Sequence, residues 1–154
     1  TAANASTIND AAAAVVLAKG QHSARNDAKN GGSIFRVVAF ASHAQDPAWF
    51  TLAPIGAIQK CLQRARLTLS DINFFEINEA FACVPLAAIK ELNISPEKVN
   101  IYGGAISLGH PIGCSGTRIV VTLMNALTRQ NARYGMATLC IGGGEALAMI
   151  IEKV

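Results

Sequence analysis

Residues 71–92 read DINFFEINEAFACVPLAAIKEL, and this stretch decides the fold. Asp71–Ile77 (DINFFEI) is aromatic and β-branched, which predicts a strand. From Ala80 to Leu92 the spacing turns helical, and Pro85 must kink that helix or lie near its start. Asn78 and Glu79 stand at the junction. A strand that passes straight into a helix is the building unit of α/β proteins.

The same alternation continues on both sides. Upstream, Arg36–Ala41 (RVVAFA) predicts a strand, and Leu52–Arg66 a helix with Ile55, Ile58, Leu62 and Ala65 on one face. Pro54 fits that helix's first turn. Gly20–Asn30 is polar and helix-compatible, and Gly31-Gly32 stops it. Ala11–Ala18 (AAAAVVLA) is apolar on every side; its alanines favour a helix, its length and apolarity a central strand. Downstream, Val99–Ile106 predicts a short strand and Thr117–Arg129 a helix with Ile119, Val120, Leu123, Met124 and Leu127 inward. Ala137–Ile141, the turn Gly142-Gly143-Gly144 and Ala148–Ile151 predict a closing hairpin. The fold class is α/β: a mostly parallel sheet with helices on both faces and an antiparallel edge from the hairpin. No polar linker divides the chain, so residues 1–154 are expected to form a single domain.

Composition narrows the function classes. Charged residues are 15% and hydrophobic ones 51%, which excludes disorder and suggests that much of the surface is covered by a partner. The net charge of +3 comes without a basic run or stripe, so nucleic acid is a poor fit. The longest apolar run, Ala11–Ala18, is far short of the roughly eighteen residues of a membrane span. The chain opens on Thr1 with no signal-peptide pattern, as expected of a processed chain or a piece of something longer. Cys61, Cys83, Cys114 and Cys140 are scattered without C-x-x-C spacing, which argues against zinc. Reduced thiols in a cytoplasmic or similar compartment, mitochondrial or peroxisomal in a eukaryote, are the expectation.

Three predicted strand ends carry unusual residues, and parallel α/β folds place ligands there. Asn78 reads either as a helix N-cap or as an amide that holds a water or a substrate oxygen. Residues 103–116, GGAISLGHPIGCSG, hold His110 between Gly109 and Pro111 at a helix start, with a pKa suited to proton exchange. Cys140 reads either as a small buried hydrophobe or as a proton-transferring thiol beside Gly142-Gly143-Gly144, whose bare N–H groups suit an oxyanion.

Together, NEAF at Asn78–Phe81, the Gly103–Gly116 block, CIGGG at Cys140–Gly144 and the opening NASTIND at Asn4–Asp10 resemble the carboxyl-terminal half of a thiolase, in the family's order. The resemblance implies a βαβαβαββ layered domain with a five-stranded mixed sheet, and it moves Ala11–Ala18 toward a strand. It implies an acyltransferase that condenses two acyl-CoA thioesters or cleaves 3-ketoacyl-CoA with CoA. CoA and acyl-CoA are then substrates; no cofactor or metal is implied. The nucleophilic cysteine lies in the amino-terminal half, so this chain alone should be inactive. His110 would activate that cysteine, Asn78 would fix an oxyanion-hole water, Cys140 would be the general acid/base with a lowered pKa, and the Gly142 N–H would serve a second oxyanion hole. Ser6, Phe50, Ala80 and Phe81 would contact CoA or line its channel.

Implied partners are the amino-terminal half and other copies of the whole enzyme, as a homodimer or homotetramer. Two departures stand out: Trp49–Ala57 (WFTLAPIGA) lacks the usual glycines before its proline, and Glu145-Ala146 replaces an uncharged residue and a glycine. Cys114 is expected at the helix start, and Cys61 and Cys83 in packing roles. The alternatives are an inactive domain of this fold that binds CoA or a partner, a long-chain 3-ketoacyl-CoA thiolase, or, less well matched by Asn78 and Cys140, a ketoacyl synthase.

Overall fold

The computed structural model describes residues 1–19 and 33–154. The helix expected over Gly20–Asn30, with its Gly31-Gly32 stop, lies outside the described residues. Among the described residues the first strand is β1 (Phe35–Ala44), followed by helix α1 (Ala53–Ala65), strand β2 (Phe74–Ile77) and helix α2 (Cys83–Leu92). A one-turn helix α3 (Ala105–Leu108), helix α4 (Ser115–Arg129) and strands β3 (Tyr134–Ile141) and β4 (Glu145–Lys153) come next. The α/β expectation is met, with helices on both faces of a mixed sheet, but the described sheet is not mostly parallel as expected: only the β2–β3 pairing is parallel, because β4 lies between β3 and β1 and runs against both.

The sheet order is β1-β4-β3-β2. β2 and β3 pair in parallel, while β4 is antiparallel to both β3 and β1. Three strands therefore run one way and β4 runs against them. The closing hairpin is present, but β4 does not form an edge as the sequence suggests. It lies inside the sheet, because the long strand β1 pairs along its free side from Phe35↔Lys153 to Ala44↔Glu145.

The described sheet has four strands rather than five. The strand expected over Val99–Ile106 shrinks to one parallel bridge, Phe75↔Val99. Beyond it a side chain continues the edge. Asn100 adopts φ 49°, a left-handed conformation that asparagine tolerates. Its Oδ1 accepts from Ile77 N–H at 2.8 Å, and its Nδ2 donates to Ile77 O at 2.9 Å. The amide thus mimics a strand residue just before the chain reaches Asn78. Asn100→Ala removes both bonds, together with one from Nδ2 to Glu79 Oε1 at 2.9 Å, and places a methyl residue at positive φ, so it should lower unfolding free energy by about 2–4 kcal/mol in a urea titration. A loss below about 1 kcal/mol would contradict this account.

The strand expected at Ala11–Ala18 is not formed either. These residues make no strand pairing, and Val16 and Leu17 are 97% and 81% exposed. An apolar strand needs a neighbour for its N–H and C=O groups, and the described residues provide none.

Two apolar layers sandwich the sheet. On one side α1 and α2 bury Ala57, Ile58, Cys61, Val84 and Ala88 against Phe75, Ile77, Met136 and Ile150. On the other, Ile119, Leu123 and Leu127 of α4 recur every fourth residue and pack on Ala137 and Ile151. Burial of each such side chain is worth about 2 kcal/mol. This docks the amino-terminal end of α4 next to the carboxyl end of β2. Among the described residues no helix is long and apolar enough to cross a membrane.

Candidate active site

Asn78 follows the last residue of β2, and its N–H donates to Thr138 O on β3 at 3.0 Å. The residue is 1% exposed. Its Nδ2 faces His110 Nε2 at 3.4 Å, while Oδ1 is buried with no partner among the described residues. The helix-cap reading of Asn78 does not hold: α2 starts at Cys83 and its N-cap residue is Ala82. Pro85 accordingly falls in the first turn, where it costs no hydrogen bond.

His110 is half-buried, and its backbone is fixed by the chain's first residues. Its N–H donates to Thr7 O at 2.9 Å and to Asn9 Oδ1 at 3.2 Å. Asn9 packs so closely on Gly109, at φ 94°, that a Cβ there would lie 2.2 Å from its Oδ1. The ring's Nδ1 is 2.6 Å from Ser115 Oγ. Burial first, and then the Arg118 cation, hold the imidazole below its ordinary pKa, so it is neutral at pH 7.

Arg118 itself lies 3.4 Å from the buried Glu76 carboxylate. Burial outweighs that attraction and, with help from Glu79, pushes the Glu76 pKa up to about 7. At neutral pH the Arg118 charge is therefore only partly balanced, and it continues to repel a proton on His110.

Cys140 is the penultimate residue of β3 and is half-buried. Burial pushes its thiol upward, and nearby Cys83 adds to the shift. The lowered pKa expected from the sequence is not produced within this chain; its own backbone hydrogen bond, which lowers the pKa, does not offset burial. Cys83 is exposed at the start of α2 rather than packed, a correction to its expected role. Cys61 is buried as expected, and Cys114 occupies the N-cap position of α4.

The turn after Cys140 depends on one glycine. Gly144 adopts φ 90°, and a Cβ there would sit 2.3 Å from Gln45 O. Its N–H donates to Ile141 O and its carbonyl accepts from Gln45 N–H. The Gly142 and Gly143 N–H groups donate to no backbone carbonyl among the described residues, so they stay open to an incoming oxygen. Gly144→Ala should displace this turn and lower the thermal midpoint by several degrees, given about 1–3 kcal/mol of strain for a non-glycine residue in a forbidden region. An unchanged midpoint would show that the turn does not need its positive φ.

The remaining expected residues gather beside Asn78. Ser6 Oγ donates to Ala80 O at 3.0 Å, and Ala5 bridges to Phe81. Phe81 stacks edge-to-face on Phe50 at 6.2 Å. Ser6, Ala80, Phe81 and Phe50 thus form one continuous run leading away from Asn78. Sequence reasoning missed four supporting residues: Asn9, Glu79, Asn100 and Ser115. Glu79 accepts from Asn100 Nδ2 at 2.9 Å and from Ile106 N–H at 3.1 Å, tying residues 78–81 to the glycine-rich loop. Three of the four stand inside quoted motifs. Asn100 has no signal of its own, because its role is to replace a missing strand.

Comparison with known proteins finds close similarity over the whole chain. The family described as "Thiolase, C-terminal domain" matches residues 32–153. The mitochondrial acetyl-CoA acetyltransferase of Rattus norvegicus is 53% identical over 154 residues, 100% of this chain and 35% of that protein. The cytosolic acetyl-CoA acetyltransferase of Mus musculus is 48% identical over 153 residues, 99% of this chain and 38% of that protein. The crystal structure of the Bacillus anthracis acetyl-CoA acetyltransferase superposes with a TM-score of 0.78 at 41% identity, over 84% of this chain and 34% of that one. The chain spans about a third of the length of the curated relatives it matches.

Proposed function

The chain belongs to the thiolase family, as its carboxyl-terminal half, and from that premise we propose that it supplies the acid/base and oxyanion-binding groups of an acetyl-CoA acetyltransferase. The relatives that carry this name share about half its residues over the whole chain. The observation that carries the proposal is the part-buried Asn78–His110 contact at 3.4 Å, beside the strand whose penultimate residue is Cys140, followed by the glycine turn.

In condensation, the nucleophilic cysteine of the amino-terminal half gives its proton to His110 Nε2 and takes the acyl group from a first acyl-CoA. The departing CoA thiolate leaves with the proton of the Cys140 thiol, so the nucleophile's proton stays on His110 Nε2 and Cys140 is left as a thiolate. A second acetyl-CoA then binds with its thioester oxygen toward His110 Nε2–H and a water held by Asn78. Asn78 Oδ1, buried and unpartnered, is an acceptor for one O–H of that water, whose other O–H points at the oxygen. Thioester α-protons are weakly acidic, and these donors stabilise the enolate as it forms. Cys140 removes the α-proton as a thiolate. The carbanion attacks the acyl-enzyme carbonyl, whose oxygen is received by the Gly142 N–H, and the nucleophile's C–S bond breaks, its sulfur taking the proton back from His110 Nε2. In thiolysis Cys140, as thiol, protonates the departing carbanion. Burial suits that thiol to keep its proton until then.

The amino-terminal half is also the proposed partner of the uncovered sheet face. α4 covers β2 and β3, but Phe40 on β1 and Leu147 on β4, on the same side of the sheet, are 66% and 46% exposed. The unpaired Ala11–Ala18 segment adds further apolar surface. Known relatives include mitochondrial and cytosolic enzymes, and either compartment suits four free thiols.

Hydrogen exchange tests the acid/base assignment. The assembled enzyme in D2O should incorporate deuterium into the methyl group of acetyl-CoA. Loss of that exchange on replacing Cys140 supports the proposal. Exchange at the wild-type rate without Cys140 sinks it, and a binding domain without chemistry then becomes the better reading.

A further inference from the structure

Ser115 opens α4 and is 0% exposed. Its Oγ lies 3.0 Å from Pro111 O and 2.6 Å from His110 Nδ1. A carbonyl oxygen only accepts, and a serine hydroxyl has a single hydrogen. With that hydrogen directed at Pro111 O, Oγ offers only lone pairs toward the imidazole. Pro111 O also receives the Cys114 and Ser115 N–H groups at 2.8 Å, so the loop carrying His110 is closed onto the helix start at this one atom. The other side of the ring agrees. Nε2 faces the Asn78 amide nitrogen, a donor, which matches a bare nitrogen and opposes a protonated one.

We propose that Ser115 is a positioning residue that holds neutral His110 as the Nδ1–H tautomer, leaving Nε2 bare for the proton transfer assigned above. This rests on the reading of His110 as the base that activates the nucleophile. The consequence is that one nitrogen serves both duties. Bare Nε2 takes the thiol proton of the nucleophile, and the resulting Nε2–H then points at the substrate oxygen. Throughout, Nδ1–H stays on Ser115 Oγ, so the ring needs no flip between the two steps. With the other tautomer, the ring would offer a donor where the reaction needs an acceptor.

The test uses the assembled enzyme with ¹⁵N-labelled histidine. The His110 resonances, assigned by their loss in His110→Gln, should show a protonated Nδ1 and a bare Nε2 at pH 7.5. Ser115→Ala should shift them toward the Nε2–H form and lower kcat by about 10- to 100-fold with little change in KM for acetoacetyl-CoA. Ser115→Thr retains the hydroxyl and should restore both the spectrum and kcat. A wild-type spectrum of the Nε2–H tautomer overturns the proposal without any variant. So does a Ser115→Ala enzyme with wild-type spectrum and kcat. If instead His110→Gln turns over like the wild type, the reading of His110 fails, whatever the tautomer.

Discussion

Cys140→Ala should leave the assembled enzyme with no more than about one-thousandth of its thiolysis rate, in the middle of the range for loss of a general acid/base. No other thiol replaces it. Cys83 is close enough to act on it, but it lies exposed on α2 rather than at the end of β3. On the proposed assignment of the run from Ser6 to Phe50 to CoA binding, KM should change little while kcat falls. Cys140→Ser should fail as well. It nearly keeps the shape, but its hydroxyl is far too weak an acid to cycle a proton near neutral pH. Because burial raises the Cys140 thiol, the thiol form persists above pH 7, and the cleavage direction should hold its rate into the alkaline range. A Cys140→Ala enzyme with a tenth or more of wild-type activity would remove this residue from the mechanism.

His110→Ala should cost a similar factor, again about a thousandfold, because one ring both takes the proton of the nucleophile and donates to the thioester oxygen. The pH dependence carries a sign. The neutral ring is the active base, and burial with Arg118 lowers its pKa from 6.5. Activity should therefore persist through pH 6.5 and fall only as the pH drops through the lowered value. Arg118→Gln removes the cation, raises the His110 pKa and should move the acid limb upward. An acid limb above pH 7 in the wild type, or one that moves downward in Arg118→Gln, would contradict this electrostatic account. Arg118 is the cation acting on the ring, and its partner Glu76, whose carboxyl pKa is pushed up to about 7, contributes to the same region of the profile.

Much of this was legible in the sequence, for physical reasons. Helices α1 and α4 show a clear 3.6-residue period because each buries one stripe against the sheet. Strands β2 and β3 show apolar runs because both faces are covered. Asn78, His110 and Cys140 stand at strand ends or glycine-rich turns, where backbone chemistry marks them. What could not be read was pairing. Ala11–Ala18 has the composition of a central strand, but its partner must come from elsewhere. Asn100 completes an edge that composition assigns to a strand. β4 looks like an edge strand until β1, distant in sequence, covers it. The Cys140 pKa was also illegible: the glycine turn suggests a lowered value, and burial within this chain raises it. Groups that would lower it are expected on the amino-terminal half or the bound substrate.

The central claim is that this chain is the acid/base half of a thiolase. Its most direct test is thiolysis of acetoacetyl-CoA, read as acetoacetyl-CoA consumed and acetyl-CoA formed, by the chain alone and co-expressed with the amino-terminal half of the enzyme. The account predicts no turnover by the chain alone and acetyl-CoA formation by the pair. A folded pair that binds CoA but forms no acetyl-CoA, or turnover by the chain alone, would contradict it.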